Sequence, residues 1–395
     1  MLQEFTKVGV VGLGTMGAGI AEVFARAGFD VTGVEIDQAA LERGRGHVDT
    51  SLSRAVAKER ITGDERAAID ARLTFTTSRE DLSDADFVVE AVPERMDLKR
   101  DVFGDLDRIC PPGTILATNT SSLSVTEIAA LTSRPDKVLG LHFFNPAPVM
   151  KLVEVVTTVS TGAETTAVVT EVAKRIGKTP VTVGDRAGFV ANALLVPYIN
   201  DAVRLYERGV ATREEVDASV RKAADLPMGP LTLADMVGLD VCLAVMDVLW
   251  EEFRDPRYAA APLLRRMVAA GRLGRKAGRG FYEGGDDPAE PARTGRFAEM
   301  VREEELLDLG EMLIAPQIDD ALRMIGDGYA TAADVDTAMR FGCGYPKGPT
   351  ELLEERGAES VVTTLVAMGE YGLTTIAAPA PLLMDRLPDV EHDHR

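Results

Sequence analysis

The sequence predicts a doubly wound α/β domain followed by two tandem domains that are all helical. Three observations support this fold class. Strand-like and helix-like segments alternate over residues 7–156, helical segments alone follow after about Gly184, and the helical part repeats itself at a fixed spacing. Such alternation is typical of a largely parallel sheet with helices on both faces.

Short apolar runs predict the strands of the first domain. They lie at Lys7–Val11, Asp30–Glu35, Asp86–Glu90, Thr114–Ala117, Val138–Leu141 and Leu152–Val156. Apolar residues recur at helical spacing over Gly17–Ala27, which predicts the first helix. Beyond the α/β part, helices are expected at Phe189–Arg208, Thr212–Ala224 and Thr232–Phe253.

The helical part contains an internal repeat. Shifting the chain by 119 residues, from Pro197 to Pro316, aligns two copies without a gap. The matched pairs include Asp201 with Asp320, Arg204 with Arg323, Gly209 with Gly328, Asp217 with Asp336, Pro227 with Pro346 and Gly229 with Gly348. Agreement at one offset predicts a duplicated domain, and two copies are too few for a solenoid.

The domain boundaries follow from these patterns. We expect the α/β domain at 1–184 and the first helical copy at 185–284. A stretch rich in Gly, Pro and Asp makes 285–303 the expected linker. The second helical copy is expected at 304–395, truncated and structural.

The composition excludes several classes of protein. Of the 395 residues, 46% are apolar and 27% are charged, so a packed core is expected rather than disorder. The formal net charge of −20 argues against nucleic acid and anionic membranes as partners. Any anionic ligand must therefore be held by local groups.

The cysteines and the apolar runs bear on location. Cys110, Cys242 and Cys343 lie far apart and form no CxxC motif, which argues against a disulfide framework or a zinc site. The N-terminus lacks the features of a signal peptide, and no apolar run approaches the ~20 residues of a transmembrane helix. We therefore expect a cytoplasmic protein without a bound metal.

A glycine-rich turn predicts a dinucleotide site. The run GLGTMG at 12–17 follows a strand and opens a helix, as the Rossmann-type fingerprint requires. Gly12 permits the tight turn, Gly14 lets the backbone approach a pyrophosphate, and Gly17 allows close packing of the helix on the strand. Thr15 and Met16 begin the helix whose N-terminus attracts negative charge.

An acidic residue after the second strand indicates which dinucleotide is expected. Glu35 lies 21 residues beyond Gly14 (14 to 35). A carboxylate there accepts hydrogen bonds from the ribose hydroxyls and would repel a 2′-phosphate, so NAD is expected rather than NADP. Asp37 lies further from the strand and is the weaker candidate. A plain glycine turn with a solvated glutamate is the alternative.

One histidine is a credible general base. His142 lies at the end of the fifth predicted strand, where open α/β sheets bind ligands, and Glu154 lies in the sixth. His47 is on a polar helix, and the remaining two histidines are in an acidic tail. Oxidation of an alcohol needs a base near neutrality, and a carboxylate on the other ring nitrogen would fix the tautomer. A histidine that is buried for structural reasons is the alternative.

Six ordered stretches of sequence then point to a known family. They are GLGTMGAGIA at 12–21, VVEAVPE at 88–94, TNTSSLS at 118–124, GLHFFNPAPVMKLVEVV at 140–156, GDRAGFVANALLVPY at 184–198 and GRKAGRGFYEG at 274–284. With these motifs the chain resembles the 3-hydroxyacyl-CoA dehydrogenases, including the 3-hydroxybutyryl-CoA dehydrogenases of bacteria. The resemblance runs from Lys7 to about Tyr282, and the repeat extends it to the end of the chain. It implies a Rossmann-like NAD-binding domain followed by an all-helical domain.

The resemblance implies roles for four residues in catalysis. His142 matches the catalytic base and Glu154 its carboxylate partner. Ser121 matches a serine that hydrogen-bonds the 3-oxygen of the substrate. Asn192 matches an asparagine that contacts the substrate from the helical domain.

The resemblance also implies contacts with the cofactor and with CoA. Glu94 and Lys99 match residues beside the nicotinamide end of NAD, and Asn119 belongs to the same cofactor-binding set. Ser51 and Lys58 match positions that meet the CoA nucleotide.

Plainer interpretations of these residues stay open. Ser121 and Asn119 could be strand-end caps, and Asn192 could cap a helix. Glu94 could be an acid facing a helix dipole. Solvated helix positions would account for Lys99, Ser51 and Lys58. The closing turn that contains Gly278 and Gly280 is interpreted as a packing turn rather than a binding loop.

The second copy departs from the family pattern. Under the shift of 119, Asn192 falls on Glu311, and GRKAGRGFYEG has no counterpart. The second copy is therefore not expected to be a second active site. Similar duplicated chains occur in the dehydrogenase part of bifunctional β-oxidation enzymes, where the second copy packs on the first like a dimer mate. A monomer with an internal pseudo-dimer is expected here, with a homodimer as the alternative.

The resemblance implies an enzyme of fatty acid metabolism. The expected reaction is NAD-dependent oxidation of an (S)-3-hydroxyacyl-CoA, for example 3-hydroxybutyryl-CoA, to the 3-ketoacyl-CoA, and the reverse. The same chemistry on a carrier-protein-bound, dicarboxylic or branched acyl thioester is one alternative. A non-catalytic NAD-binding relative is the other.

Overall fold

The computed structural model describes residues 5–282 and 308–387. The chain divides into two compact units, Met1–Phe189 and Val190–Arg395, called here the α/β unit and the helical unit. The expected linker 285–303 lies outside the described residues, as do His392 and His394. The domain boundaries expected at 284 and 304 also lie outside them, so they stay predictions.

The α/β unit is built on one eight-stranded sheet. Its strands are β1 (Lys7–Val11), β2 (Asp30–Val34), β3 (Leu73–Thr76), β4 (Phe87–Glu90), β5 (Ile115–Thr118), β6 (Val138–Phe143), β7 (Leu152–Thr157) and β8 (Thr179–Gly184). The order in the sheet is β3-β2-β1-β4-β5-β6-β7-β8. All neighbouring strands run parallel except β6 and β7, which are antiparallel.

Six of the eight strands were predicted, with small differences at their ends. The prediction missed β3 and β8, which lie at the two edges of the sheet. Both contain several threonines and have partly exposed side chains. Edge strands that face water on one side lack the continuous apolar run of a buried parallel strand, so the sequence gives them a weak signal.

Helices cover both faces of this sheet. They are α1 (Thr15–Arg26), α2 (Gln38–Ala57), α3 (Gly63–Asp70), α4 (Met96–Ile109), α5 (Val125–Ala129) and α6 (Ala163–Arg175). Successive residues of a strand pack in different hydrophobic clusters, one on each face of the sheet. Val10 packs in the cluster that contains Phe24 of α1, and Val11 packs in the cluster that contains Phe103 of α4. This layering confirms the predicted doubly wound α/β domain.

The described residues of the helical unit form helices and short turns. The helices are α7 (Ala191–Glu207), α8 (Arg213–Ala224), α9 (Pro230–Val237), α10 (Leu239–Phe253), α11 (Pro262–Ala269), α12 (Glu311–Gly326), α13 (Ala332–Cys343), α14 (Pro349–Arg356), α15 (Ala358–Glu370) and α16 (Pro381–Met384). The single helix expected over Thr232–Phe253 is wrong, because Gly238 has φ +106° and separates α9 from α10. Only glycine adopts that conformation readily.

The repeat is visible in the structure at the level of single hydrogen bonds. The helices α8 and α9 recur 119 residues later as α13 and α14. The carboxylate of Asp217 accepts the backbone N–H of Leu231 at 2.8 Å, and that of Asp336 accepts the N–H of Thr350 at 2.9 Å. The α/β domain is thus followed by two tandem sets of similar helices, which confirms the predicted fold class.

Candidate active site

The glycine-rich turn leaves open space beside the backbone at the start of α1. Gly12 has φ +88°, and a Cβ there would lie 2.8 Å from the carbonyl oxygen of Ala91. A Cβ on Gly17 would overlap the carbonyl oxygen of Gly12. By contrast, a Cβ on Gly14 would meet nothing within 4 Å. Two glycines are therefore needed for packing, while the third faces space that a dinucleotide phosphate would fit.

The N-terminus of α1 has the electrostatics that an anion requires. Gly14 is the N-cap residue, the helix begins at Thr15, and its first turn, which includes Met16, has no acidic side chain. The free backbone N–H groups and the helix dipole therefore give this end local positive character. Local positive character is what an overall acidic chain needs in order to hold a dinucleotide.

The two acidic candidates after β2 have different partners. Glu35 follows the strand directly, and its Oε1 accepts the N–H of Leu13 at 2.6 Å while Oε2 accepts the N–H of Ile36 at 3.0 Å. These bonds fix the carboxylate beside the glycine-rich turn. Asp37 instead caps α2 by accepting the N–H of Ala40 at 2.7 Å. The geometry thus favours Glu35 over Asp37 for binding a ribose.

The antiparallel pairing of β6 and β7 brings a histidine and a glutamate together. His142 lies directly opposite Glu154 in the register of these strands. Nδ1 of His142 is 2.7 Å from Oε2 of Glu154, and both side chains are buried. With a proton on Nδ1 donated to the carboxylate, Nε2 remains as the acceptor nitrogen of the ring. His142 is therefore oriented by the carboxylate of Glu154 as a general base would be.

Aromatic rings pack around His142. The ring of Phe144 lies 4.7 Å from the imidazole and that of Phe189 lies 5.6 Å from it, measured between centroids. Phe189 is buried and has φ +49°, an unusual conformation for a large side chain. Neither phenylalanine was singled out from the sequence.

A second polar cluster lies at the ends of β4 and β5. Oε1 of Glu94 accepts hydrogen bonds from the N–H of Ser121 at 2.6 Å, from its Oγ at 3.2 Å and from Oγ1 of Thr120 at 2.8 Å. Oδ1 of Asn119 accepts the N–H of Phe143, the residue after His142, at 2.8 Å. Asn119 therefore links β5 to the strand of the histidine, in keeping with the strand-end alternative. Glu94 accepts hydrogen bonds from the loop after β5 and lies two residues before the start of α4 at Met96.

Lys99 is a buried cation rather than a solvated one. Only 1% of its side chain is exposed, so the solvated alternative is wrong. Its Nζ lies 2.9 Å from both carboxylate oxygens of Glu90 and 3.3 Å from Oε2 of Glu94. Any effect of Lys99 on a cofactor would therefore act through Glu94. Sequence reasoning missed Glu90, although it lies inside the motif VVEAVPE at 88–94.

The remaining candidates in the α/β unit lie on or next to α2. Ser51 is half-buried within the helix, and Lys58 is exposed at its C-cap. Their roles toward CoA stay predictions. His47 is exposed on the same helix, as its polar surroundings indicated.

In the helical unit, the family positions differ between the two copies. Asn192 is the second residue of α7, whose N-cap is Val190, so Asn192 is not the N-cap of this helix. Its counterpart Glu311 pairs with Arg356 through Oε2 and Nε at 2.6 Å. The closing turn is bonded to α9 of its own copy, because the N–H groups of Phe281 and Tyr282 both donate to Asp235 at 2.8 Å.

Two further features concern membranes and metals. Over residues 5–282 and 308–387, no helix has the length and apolar character needed to cross a bilayer. The same residues contain no group of three or more His, Cys, Asp or Glu side chains arranged to hold a metal ion.

The fold and the site define a class of protein: a dinucleotide-binding α/β domain that carries a paired histidine and glutamate, followed by a duplicated helical domain. Comparison with family models agrees with this definition. Residues 7–186 match the NAD binding domain of 3-hydroxyacyl-CoA dehydrogenase, and residues 188–284 and 310–392 match its C-terminal domain. The chain belongs to the 3-hydroxyacyl-CoA dehydrogenase family, and its α/β domain is an NAD-binding domain.

Individual relatives fall into two groups by length. A 3-hydroxybutyryl-CoA dehydrogenase from Clostridioides difficile is 49% identical over 277 residues, which are 70% of this chain and 99% of the relative. A 3-hydroxyadipyl-CoA dehydrogenase from Escherichia coli K12 is 32% identical and spans 98% of both chains. The crystal structure of a 3-hydroxybutyryl-CoA dehydrogenase from Escherichia coli K12 matches with a TM-score of 0.88 and 32% identity over 97% of this chain and 98% of that one. The second copy therefore has counterparts in the longer relatives.

Proposed function

We propose that the chain catalyses the NAD-dependent oxidation of an (S)-3-hydroxyacyl-CoA to the 3-ketoacyl-CoA, and the reverse reaction. The observation that carries this proposal is the pair formed by His142 and Glu154 at 2.7 Å, which leaves Nε2 as the acceptor. Relatives named as 3-hydroxybutyryl-CoA and 3-hydroxyadipyl-CoA dehydrogenases support the same reaction. A non-catalytic NAD-binding protein is the alternative, and it would have no need of this arrangement.

The side chains would divide the work as follows. Nε2 of His142 takes the proton of the 3-hydroxyl group, and Glu154 stabilises the imidazolium that forms. Ser121 is held to Glu94 through its backbone N–H, and its hydroxyl turns from Glu94 to donate to the 3-oxygen while it becomes a carbonyl. Asn192 is the proposed substrate contact from the helical domain. Bound NAD supplies the acceptor for the hydride that leaves C3.

Binding of the cofactor would use the groups around α1. Gly12, Gly14, Gly17 and the first turn at Thr15 and Met16 would hold the pyrophosphate. Glu35 would bind the adenosine ribose and disfavour NADP. Glu94 and Asn119 would lie at the nicotinamide end, with Lys99 acting through Glu94. Ser51 and Lys58 would meet the CoA nucleotide.

A substitution of the base tests the reaction. Replacing His142 by Gln should lower turnover by ~10²–10⁴-fold, the usual contribution of general-base catalysis. His47→Gln is the matched control, since His47 is exposed on α2 and should have no effect. The assay follows NADH absorbance with acetoacetyl-CoA, and NADPH is run in parallel. Near-normal turnover of His142→Gln would refute the assignment.

The acyl group is the finer part of the proposal. A short chain such as 3-hydroxybutyryl is supported by the relatives at 49% identity. A dicarboxylic chain is the second candidate, because the relative that matches 98% of this chain is named for 3-hydroxyadipyl-CoA. Comparing kcat/KM for both thioesters, for longer and branched ones, and for an acyl carrier protein thioester decides between them.

We also propose that the chain is a monomer with an internal pseudo-dimer. The helices α7 and α12 pack together, and the two copies share polar contacts. Nη1 of Arg257 lies 2.5 Å from Oδ1 of Asp320, and Nε2 of Gln317 donates to the carbonyl of Leu194 at 3.3 Å. Sedimentation should give a monomer for the intact chain and self-association for a chain that ends at residue 284. A truncated chain that stays soluble and monomeric would contradict this, and a dimer of the intact chain would support the homodimer instead.

Location in the cytoplasm remains part of the proposal. The three cysteines form no disulfide, and two of them, Cys110 and Cys242, are buried. Free thiols are usual in a reducing compartment. Fractionation of the source cells with detection of the intact chain tests this.

A further inference from the structure

Glu90 is a fully buried acid at the end of β4 with every carboxylate oxygen bonded. Both oxygens lie 2.9 Å from Nζ of Lys99. Oε1 also accepts the N–H of Val92 at 2.6 Å, and Oε2 accepts Oγ1 of Thr118 at 2.7 Å. The exposed fraction of Glu90 is 0%, so it touches no ligand itself.

The same lysine is shared with a second carboxylate that leads to the candidate site. Nζ of Lys99 lies 3.3 Å from Oε2 of Glu94. The other oxygen of Glu94 binds the N–H and Oγ of Ser121. The chain of contacts therefore runs from Glu90 through Lys99 and Glu94 to the serine that is proposed to hold the substrate's oxygen.

We propose that Glu90 is a positioning residue, whose charge neutralises Lys99 and thereby leaves Glu94 free to orient Ser121. This inference rests on the proposed function. A buried ammonium group needs a carboxylate partner, because an unpaired buried charge is strongly disfavoured. With Glu90 present, Lys99 has two close oxygens at 2.9 Å and a longer contact to Glu94. Without the charge of Glu90, Lys99 would draw Glu94 toward itself and away from Ser121.

A purely structural role would look different. A partly buried ion pair with no link to the site is present in the same unit, where Asp107 on α4 pairs with Arg134 at 2.8 Å. Asp107 also accepts the N–H and Oγ of Ser133. Loss of that carboxylate should lower stability alone. Asp107→Asn is therefore the matched control for Glu90→Gln.

A double-mutant cycle with Ser121 tests the proposal. Glu90→Gln should lower kcat by at least ~10-fold, a part of the loss seen when a donor to a reacting oxygen is removed. In the Ser121→Ala background the same change should lower kcat by less than ~2-fold, since coupled residues are not additive. Asp107→Asn should leave kcat unchanged. Equal losses in both backgrounds would overturn the proposal.

A compensating variant covers the case in which Glu90→Gln does not fold. Removing both charges, as in Glu90→Gln with Lys99→Met, leaves no buried unpaired ion. Glu94 then has no competing cation, so kcat should rise at least ~3-fold above that of Glu90→Gln. A double variant that melts like the parent chain but turns over as slowly as Glu90→Gln would contradict the proposal, and so would a double variant that does not fold.

The proposed function is checked in the same assays. If the parent chain oxidises no 3-hydroxyacyl thioester, the proposed function fails. If the parent chain is active and His142→Gln is not, while the cycle is additive, only the role of Glu90 fails.

Discussion

The two copies of the helical domain share a structural frame but differ at Asn192 and at the closing turn of the first copy. In both copies a helix is capped by a threonine, with Thr212 accepting the N–H of Glu215 at 3.2 Å and Thr331 accepting that of Asp334 at 3.1 Å. The break at Gly238 also recurs at Gly357, which has φ +77°. Helix-capping hydrogen bonds and backbone conformation thus define the common frame.

The differences lie at one helix start and at the closing turn. Asn192 of the first copy is replaced by Glu311, which is tied to Arg356. Asp235 is buried and holds the closing turn, whereas its counterpart Glu354 is exposed. The two copies therefore share the contacts that hold their helices, and they differ at the proposed substrate contact and at the residue that holds the closing turn.

The largest expected difference between the two copies is the effect on kcat of replacing Asn192 or its counterpart Glu311. If Asn192 contacts the reacting substrate, Asn192→Ala should reduce kcat by ~10²-fold, as removal of one donor to a developing oxyanion does. Glu311→Ala should leave kcat unchanged, because its partner is Arg356 of the same copy. Steady-state kinetics measure both. Similar losses in the two variants would break the distinction between the copies.

The shared frame predicts equal damage at Gly229 and Gly348. A Cβ on Gly229 would overlap Asp217, and one on Gly348 would overlap Asp336. Each Gly→Ala change should lower the free energy of unfolding by about 1–3 kcal/mol, the usual cost of overpacking, as measured by urea denaturation. Gly104→Ala is the control, since a Cβ there meets nothing within 4 Å. If only Gly229→Ala lowers the stability, the second copy is packed less tightly around Gly348 than the first copy is around Gly229.

The equivalent acids Asp201 and Asp320 predict a pH dependence. Burial raises the pKa of Asp201 to about 6 and that of Asp320 to about 7, against an ordinary value of 3.8, although Arg204 and Arg257 lower them. The folded state therefore binds more protons than the unfolded state between pH 3.8 and about 7. Stability should fall as pH rises across this window, by on the order of 1 kcal/mol per pH unit.

The double variant Asp201→Asn with Asp320→Asn checks the origin of this pH dependence. Urea unfolding at several pH values should give a flatter profile for the variant than for the parent chain. Parallel profiles would show that other groups cause the change.

The smallest effect concerns the thiols. Burial raises the pKa of Cys242 in the first copy to about 12 and that of Cys110 to about 11, whereas Cys343 of the second copy is partly exposed. The thiolate is the reactive form, so a thiol reagent at pH 8 should label Cys343 first and the other two only on unfolding. Mass spectrometry of the labelled peptides reports the order. Early labelling of Cys242 would indicate that the first copy opens more easily.

Local patterns in the sequence predicted much of this fold. The buried strands and the glycine-rich turn are encoded by residues that lie close together in the chain. The repeat can be read by aligning the sequence with itself. The edge strands β3 and β8 were missed because their residues face water in part. The continuous helix over Thr232–Phe253 was wrong because the φ of Gly238 is not readable from apolar periodicity.

The candidate site was predictable in kind but not in arrangement. A lone histidine and a glutamate twelve residues apart (142 to 154) suggested a pair. Only the antiparallel register of β6 and β7 sets them side by side. From the sequence, Lys99 was either a residue beside the cofactor or a solvated helix lysine. Its burial depends on Glu90 and Glu94, which belong to a neighbouring strand and the loop after it.

The sequence by itself thus determined the fold class, the dinucleotide fingerprint and the duplication, because each follows from spacing along the chain. The tertiary structure alone decided which charges are buried and which side chains meet. Those features depend on strand register and on packing between elements distant in sequence. The partners of His142 and Lys99 are therefore properties of the folded sheet and its loops rather than of any single motif.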